Sequence, residues 1–303
     1  MKSQSLAVAC VLWLGISSAS AQDFDAVKFT SVKAAENVRM LQGAGGNIGL
    51  FIGPDGVFLI DDQFAPLHEK LVAQIEELAG DSAADPSRVF LINTHFHHDH
   101  TGGNELLGEA GAVIIAHDNV RRRLSVDQTV PFLGSASPAL KAGGLPVITF
   151  DQDLTFHLNG DSVHVVHVGP AHTDGDAIVH FTKANVIHAG DIVFTESYPF
   201  IDRDNGGSVA GELEALKTII SLADDRTSII PGHGKMTNRA SLQQIHTMLA
   251  TIFDKVNRMV ADGKSLEQIQ AARLTQEYDG QFNGFISGDS FVGFIYAELT
   301  EHR

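Results

Sequence analysis

An apolar stretch, Val89 to Ile92, leads directly into Thr94-His95-Phe96-His97-His98-Asp99-His100-Thr101-Gly102-Gly103. Residues 88–94 have the composition of a short buried strand, so the histidines stand where a strand ends and a loop begins. Alternation along an extended chain puts His95 and His97 on one side. Two imidazoles placed in this way can share a metal ion at ~2.0–2.1 Å. Asp99 and His100 then point onward as the chain turns into the next helix. Four residues in one run cannot close two metal sites, so the fold must bring further ligands from elsewhere.

Those ligands are expected at other strand ends. His172 follows strand-like residues 162–168 and a Gly-Pro turn in HVGPAHTDGD. Asp191 follows a strand in VIHAGDIVF, and His233 lies between two glycines in IIPGHGK. Each comes after a short apolar run, as the first motif does. That recurrence predicts one site along a common sheet edge. The chain has 15 histidines, so most need another reading. His98 is expected to face away from the metals. His157, His164, His167, His180 and His188 read as structural or exposed histidines. Asp174 and Asp176 read as loop-capping residues, and Arg121-Arg122-Arg123 as a solvated helix face.

Around these motifs the pattern alternates strands, turns and helices. Strands are expected within 28–62 and at 88–94, 112–117, 147–150, 154–158, 162–168, 177–182, 186–188 and 227–234. Helices are expected at 65–80, where Leu67, Leu71, Ile75 and Leu78 share a face, and at 212–223. Residues 125–144, with Pro131, Pro138, Gly134, Gly143 and Gly144, read as a long loop. From about residue 238 the chain reads as mostly helical. No proline- or serine-rich linker divides it, which favours one domain over 22–303 with helices outside paired sheets.

The first residues read as a secretory signal, 1–21. Lys2 precedes an apolar run from Leu6 to Ile16, and Ala19-Ser20-Ala21 supplies a small-residue cleavage pattern. The run is too short to span ~30 Å of hydrocarbon, so no membrane anchor is expected after its removal. Removal would also take away Cys10, the only cysteine, leaving nothing to oxidise in a periplasmic or extracellular space. A formal net charge of −16 repels phosphate backbones and excludes nucleic acid as a general partner. The expected partner is a small-molecule substrate.

Taken in order, Asp61 at the end of GVFLIDD, the His95/His97/Asp99/His100 run, His172, Asp191 and His233 resemble the metallo-β-lactamase superfamily. The resemblance covers roughly residues 30–235. It implies an αββα four-layer sandwich with the site at one edge between two sheets. It implies that His95, His97 and His172 hold one zinc ion and that Asp99, His100 and His233 hold a second. Asp191 would bridge the two, with Asp61 bracing the ligand loop from behind. The common β-lactamases place Cys where this chain has Asp191 and Lys where it has Phe194, which puts the usual contact to a substrate carboxylate in doubt. Asp at this position resembles the glyoxalase-like thioesterases.

Two zinc ions imply a hydrolase with Asp99 and Asp191 at the reacting centre, because zinc lowers the pKa of its bound water to ~7. An iron pair would permit oxygen chemistry, but export favours zinc. The expected substrate is a cyclic amide or ester, with a β-lactam the best single choice and Lys235 a candidate substrate cation. Lactonase, thioesterase and phosphodiesterase activities are the alternatives within the superfamily. A non-catalytic zinc-binding protein is the alternative outside it. Structural zinc sites are usually closed and rich in cysteine, which this set is not.

Overall fold

A computed structural model describes residues 23–80 and 88–301. The signal assignment at 1–21 lies outside the described residues. Among those described, no helix is long and apolar enough to cross a membrane.

Six strands come first: β1 (Thr30–Lys33), β2 (Val38–Gln42), β3 (Ile48–Gly53), β4 (Gly56–Ile60), β5 (Val89–Asn93) and β6 (Val113–His117). Next are the short β7 (Gln128–Val130) and β8 (Ser135–Ser137), then β9 (Ile148–Phe150). The second half contributes β10 (Asp153–Leu158), β11 (Asp161–His167), β12 (Ala177–Phe181), β13 (Val186–His188), β14 (Ser228–Ile230) and β15 (Thr237–Asn238). The helices are α1 (His68–Ala79), α2 (His98–Thr101), α3 (Asn104–Glu109), α4 (Asp118–Leu124) and α5 (Val209–Leu222). They are followed by α6 (Arg239–Ala261), α7 (Leu266–Ala271) and α8 (Gly288–Thr300).

The strands form a seven-stranded sheet, β1-β2-β3-β4-β5-β6-β9, and a six-stranded sheet, β10-β11-β12-β13-β14-β15. Period-two alternation sorts their side chains into layers. Phe58 and Ile60 of β4 join Val163, Val165, Val179 and Val186 of the other sheet in one apolar cluster between the sheets. Val57 and Leu59 point the other way, onto Leu71 and Ile75 of α1. On the second sheet, Ile178, Ile187 and Ile229 turn outward onto α5, α6 and α8, where Leu216, Leu249 and Phe291 pack. The result is helix, sheet, sheet, helix, the αββα sandwich expected from the resemblance.

The sequence reading of 125–144 as a loop is corrected in part. Residues 128–130 and 135–137 pair as a small antiparallel hairpin, turned by Gly134 at φ 61°. Proline and glycine content hid two three-residue strands too short to show a period. A second correction concerns Arg123. Its guanidinium donates to both carboxylate oxygens of Asp174 at 2.7 Å and lies over the Phe96 ring, so it is not a solvated surface group.

Strand direction decides where the motifs meet. β4, β5 and β6 are mutually parallel. β13 and β14 are parallel to each other, and β11 shares their direction because β12 runs antiparallel to both β11 and β13. The C-terminal ends of β4 and β5 therefore share one edge, as do those of β11, β13 and β14. The residues that follow these ends are Asp61, His95, His172, Asp191 and His233.

Candidate metal centre

All seven side chains singled out as metal ligands come together. His95, His97, His172 and Asp191 each offer a ligand atom within one small cluster, and Asp99, His100 and His233 form another. The carboxylate of Asp191 reaches both. It lies 3.8 Å from His95 Nε2, 3.5 Å from His172 Nε2, 3.1 Å from His100 Nε2 and 3.4 Å from His233 Nε2. Asp99 Oδ2 stands 3.3 Å from His233 Nε2 and 3.6 Å from His100 Nε2.

The outer hydrogen bonds fix which nitrogen of each ring faces inward, because carbonyl and carboxylate oxygens only accept. His172 Nδ1–H donates to the Phe200 carbonyl at 2.6 Å, leaving Nε2 as a lone pair. His97 Nε2–H donates to Asp202 Oδ2 at 2.8 Å, so His97 turns Nδ1 inward. Thr94 Oγ1 donates to Asp61 Oδ2 and accepts from His95 Nδ1–H, which turns His95 Nε2 inward. These three lone pairs converge. His97 Nδ1 is 3.1 Å from His95 Nε2 and 2.8 Å from His172 Nε2. No proton is left between them to make a hydrogen bond. Ligand atoms ~2.0–2.1 Å from a tetrahedral zinc stand about 3.3 Å apart, so the residues fit a divalent cation. Asp191 Oδ1, buried with only His100 Nε2 beside it at 3.1 Å, has room for a cation as well.

The electrostatics divide the site. Burial, then the neighbouring His97, lowers His172 to about 4, and burial lowers His95 well below the usual range. Both are neutral at pH 7, as ligands must be. Burial would also lower His100 and His233, but carboxylates outweigh it. Asp191, Asp99 and Asp61 raise His100 well above 6.5, and Asp191 and Asp99 raise His233 to about 10. Burial works against the charge of Asp99 and Asp191 too, yet His100 and His233 hold both below the usual carboxylate range. The carboxylates that hold protons on His100 and His233 supply the negative field a divalent ion takes.

Local backbone geometry serves this clustering. Asp61 stands at φ 63° and accepts from Thr94 N at 2.8 Å and from His100 Nδ1 at 2.7 Å. Two glycines are required by close approach. A Cβ on Gly46 would lie 2.0 Å from His100 Cε1, and one on Gly232 would lie 2.0 Å from Asp191 Oδ1.

Other assignments are also located. His98 is exposed and touches only the Phe64 ring among the aromatic contacts. Asp176 caps its loop by accepting from Thr173 N and Oγ1, and burial raises it to about 8. His188 is buried, donating through Nε2 to the Asn47 carbonyl. Lys235 is exposed and pairs with Glu196 at 2.7 Å. Asp202 was missed by the sequence reading. It sits in FIDRDN, with no motif to mark it, and meets His97 only through folding.

An αββα sandwich with this cluster at its edge defines a metal-dependent hydrolase. The family model described as the metallo-beta-lactamase superfamily matches residues 41–233, and the chain belongs to that superfamily. The hydroxyacylglutathione hydrolase of Pelagibacter ubique is 24% identical over 145 residues, and that of a Polaromonas species 26% over 155. These matches cover 48% and 49% of this chain, and the chain spans about half the length of either relative, 51% and 49%. Solved structures show the same fold. A metallo-beta-lactamase from Pontibacter korlensis superposes with a TM-score of 0.58 at 17% identity, and DIM-1 metallo-beta-lactamase with 0.58 at 19%. Each covers 74% of this chain and 99% of its own.

Proposed function

We propose that this chain is an exported hydrolase that carries two zinc ions and opens a cyclic amide or ester, a β-lactam ring being the first substrate to try. The observation that carries the reading is the convergence of three proton-free ring nitrogens beside Asp191. In this reading His95, His97 and His172 hold one ion, Asp99, His100 and His233 hold the other, and Asp191 reaches both. Two divalent ions bound there supply a Lewis acid and a water that ionises near neutral pH.

The protein's own part is positional. Asp61, Asp202, Thr94 and the Phe200 carbonyl orient the imidazoles and fix their tautomers. Asp99 and His233 are the ligands whose side chains are partly open to solvent, so substrate approaches on their side. Asp99, held ionised, is placed to accept a hydrogen bond from a water at the site and so orient it.

The test is hydrolysis of a chromogenic cephalosporin by zinc-loaded protein, with metal content measured in parallel. Two zinc equivalents and turnover support the whole reading, and two equivalents without turnover remove the β-lactam. A thioester is the second reading. It is favoured by the hydroxyacylglutathione hydrolases to which half of the chain is similar. Lactone, thioester and phosphodiester substrates assayed side by side rank the rivals.

A further inference from the structure

Only two of the 18 phenylalanines are exposed, Phe132 at 48% and Phe285 at 59%. Both belong to chains of ring contacts that end on histidines of the cluster. Phe132 stacks on Phe200 at 5.3 Å between ring centres, and Phe200 stacks on His97 at 5.8 Å. Phe285 meets the His233 ring at 6.2 Å and Phe194 at 6.0 Å, and Phe194 itself stacks on His233 at 5.2 Å. One exposed ring thus flanks each group of ligands.

Neither ring is exposed because its segment is loose. Gly284 N donates to the Glu196 carbonyl at 2.9 Å and Ile286 N to Ser197 Oγ at 3.0 Å, so Phe285 is pinned on both sides. The turn carrying Phe132 is closed by Gly134 N on the Pro131 carbonyl, and the preceding strand is tied by Asn205 to Asp202. Each ring is thus fixed by its segment and by its ring contacts, yet keeps about half of its surface open beside a group of ligands, where it can meet an apolar part of a substrate. Phe285 also lies outside the residues matched by the family model.

Charge points the same way. Lys235 pairs with Glu196, Arg123 with Asp174, and Arg203 with Glu298 and Glu301. The cations that touch the site loops are therefore each matched by a carboxylate, and the chain as a whole carries −16. Two bound ions would themselves attract an anion, but no lysine or arginine among these groups is left unmatched to hold a substrate carboxylate.

We propose that Phe132 and Phe285 are two aromatic walls of the substrate cleft, and that the site selects an uncharged substrate with an aryl or alkyl group beside its scissile carbonyl. This rests on the hydrolase reading above and, within it, favours uncharged cyclic esters and amides over the carboxylate-bearing β-lactams tried first. Because both rings are at the surface, Phe132→Ala and Phe285→Ala leave the core intact.

The experiment compares dihydrocoumarin, a carboxylated dihydrocoumarin and γ-butyrolactone on the zinc-loaded full chain. Each alanine variant is expected to raise KM for dihydrocoumarin about five- to tenfold, with γ-butyrolactone changed less than twofold. The carboxylated compound is expected to be at least about tenfold poorer than its parent for the unsubstituted enzyme. Equal losses on both uncharged lactones, or a preference for the carboxylated one, overturns the proposal. Binding of the uncharged dye N-phenyl-1-naphthylamine, read by fluorescence, is independent of turnover. If the dye binds, is lost in the double variant and no lactone is hydrolysed, the hydrolase reading falls and the walls stand. If the double variant binds it unchanged, the walls fall.

Discussion

Asp202 Oδ2 lies 2.8 Å from His97 Nε2, across 105 positions of chain, and thereby turns Nδ1 of His97 toward His95 and His172. Asp202 is itself held by Asn205 Nδ2 at 2.7 Å. The pair sets the tautomer and the angle of one ring while offering no atom of its own to the cluster. Groups that orient ligands from behind typically matter 10–100-fold in metal affinity or activity. Asp202→Ala is therefore expected to weaken zinc retention about 10–100-fold, read by competition with a chromophoric chelator. Unchanged retention would show that Nδ1 is directed by something else.

Asp61 accepts from Thr94 N, Thr94 Oγ1 and His100 Nδ1, all buried. Removing the carboxylate strands several donors, each worth about 1–3 kcal/mol. Asp61→Ala also places a Cβ-bearing residue without a local polar partner at φ 63°. We expect a loss of roughly 2–4 kcal/mol by urea unfolding. Asp61→Asn, which tolerates this backbone region, should lose less.

If two ions bind as proposed, acid should empty their positions in sequence. His100 and His233 have their proton affinity raised, so on acidification the Asp99–His100–His233 group loses its ion first. His95 and His172, lowered by burial, keep theirs to lower pH. Cobalt-loaded protein titrated from pH 8 to pH 4 should lose its visible bands in two steps. A single cooperative step would contradict this order.

The metal-free protein has its own pH dependence. Below 6.5 the unfolded chain protonates His172, while the folded chain resists until about 4. The unfolded state binds more protons in that window, so stability falls as pH drops through it, by roughly 3 kcal/mol from this residue. His233 acts in the opposite sense. Its folded state keeps a proton up to about 10, so its contribution is full below 6.5 and is lost as pH rises toward 10. Taken by themselves these two residues favour pH 6.5, and in unfolding curves His172→Gln should flatten the acid side.

Glu212 is buried in α5 with both carboxylate oxygens unpartnered, and burial raises it well above 4.5, helped by Asp176 and Asp191. The folded state keeps a proton that the unfolded state gives up, so stability falls as pH rises above 4.5 toward the raised value. Glu212→Gln removes that dependence. It should stabilise the protein by about 1–3 kcal/mol at pH 8 and little at pH 4.5, as thermal melts at the two values would show.

The clustering of the candidate ligands was legible because each follows an apolar strand, and a two-residue period states that His95 and His97 share a side. His95, His97, His172, Asp191 and His233 all obey that local rule. Residues 128–137 were read as a loop because strands of three residues cannot display a period. Arg123 was misread because its partner, Asp174, lies 51 positions away and no local pattern joins them.

By itself the sequence determined the candidate donors, the strand ends that carry them and helices outside paired sheets, since periodicity, burial and turn chemistry act between near neighbours, while the four-layer sandwich came from the family resemblance. Only the tertiary structure decided which nitrogen of each imidazole faces inward, that Asp202 holds His97, and that Phe285 from the C-terminal segment stands beside His233. Those relationships depend on how two sheets and their outer helices pack against one another. Contacts between segments a hundred residues apart follow from the whole arrangement, and no stretch of chain encodes them alone.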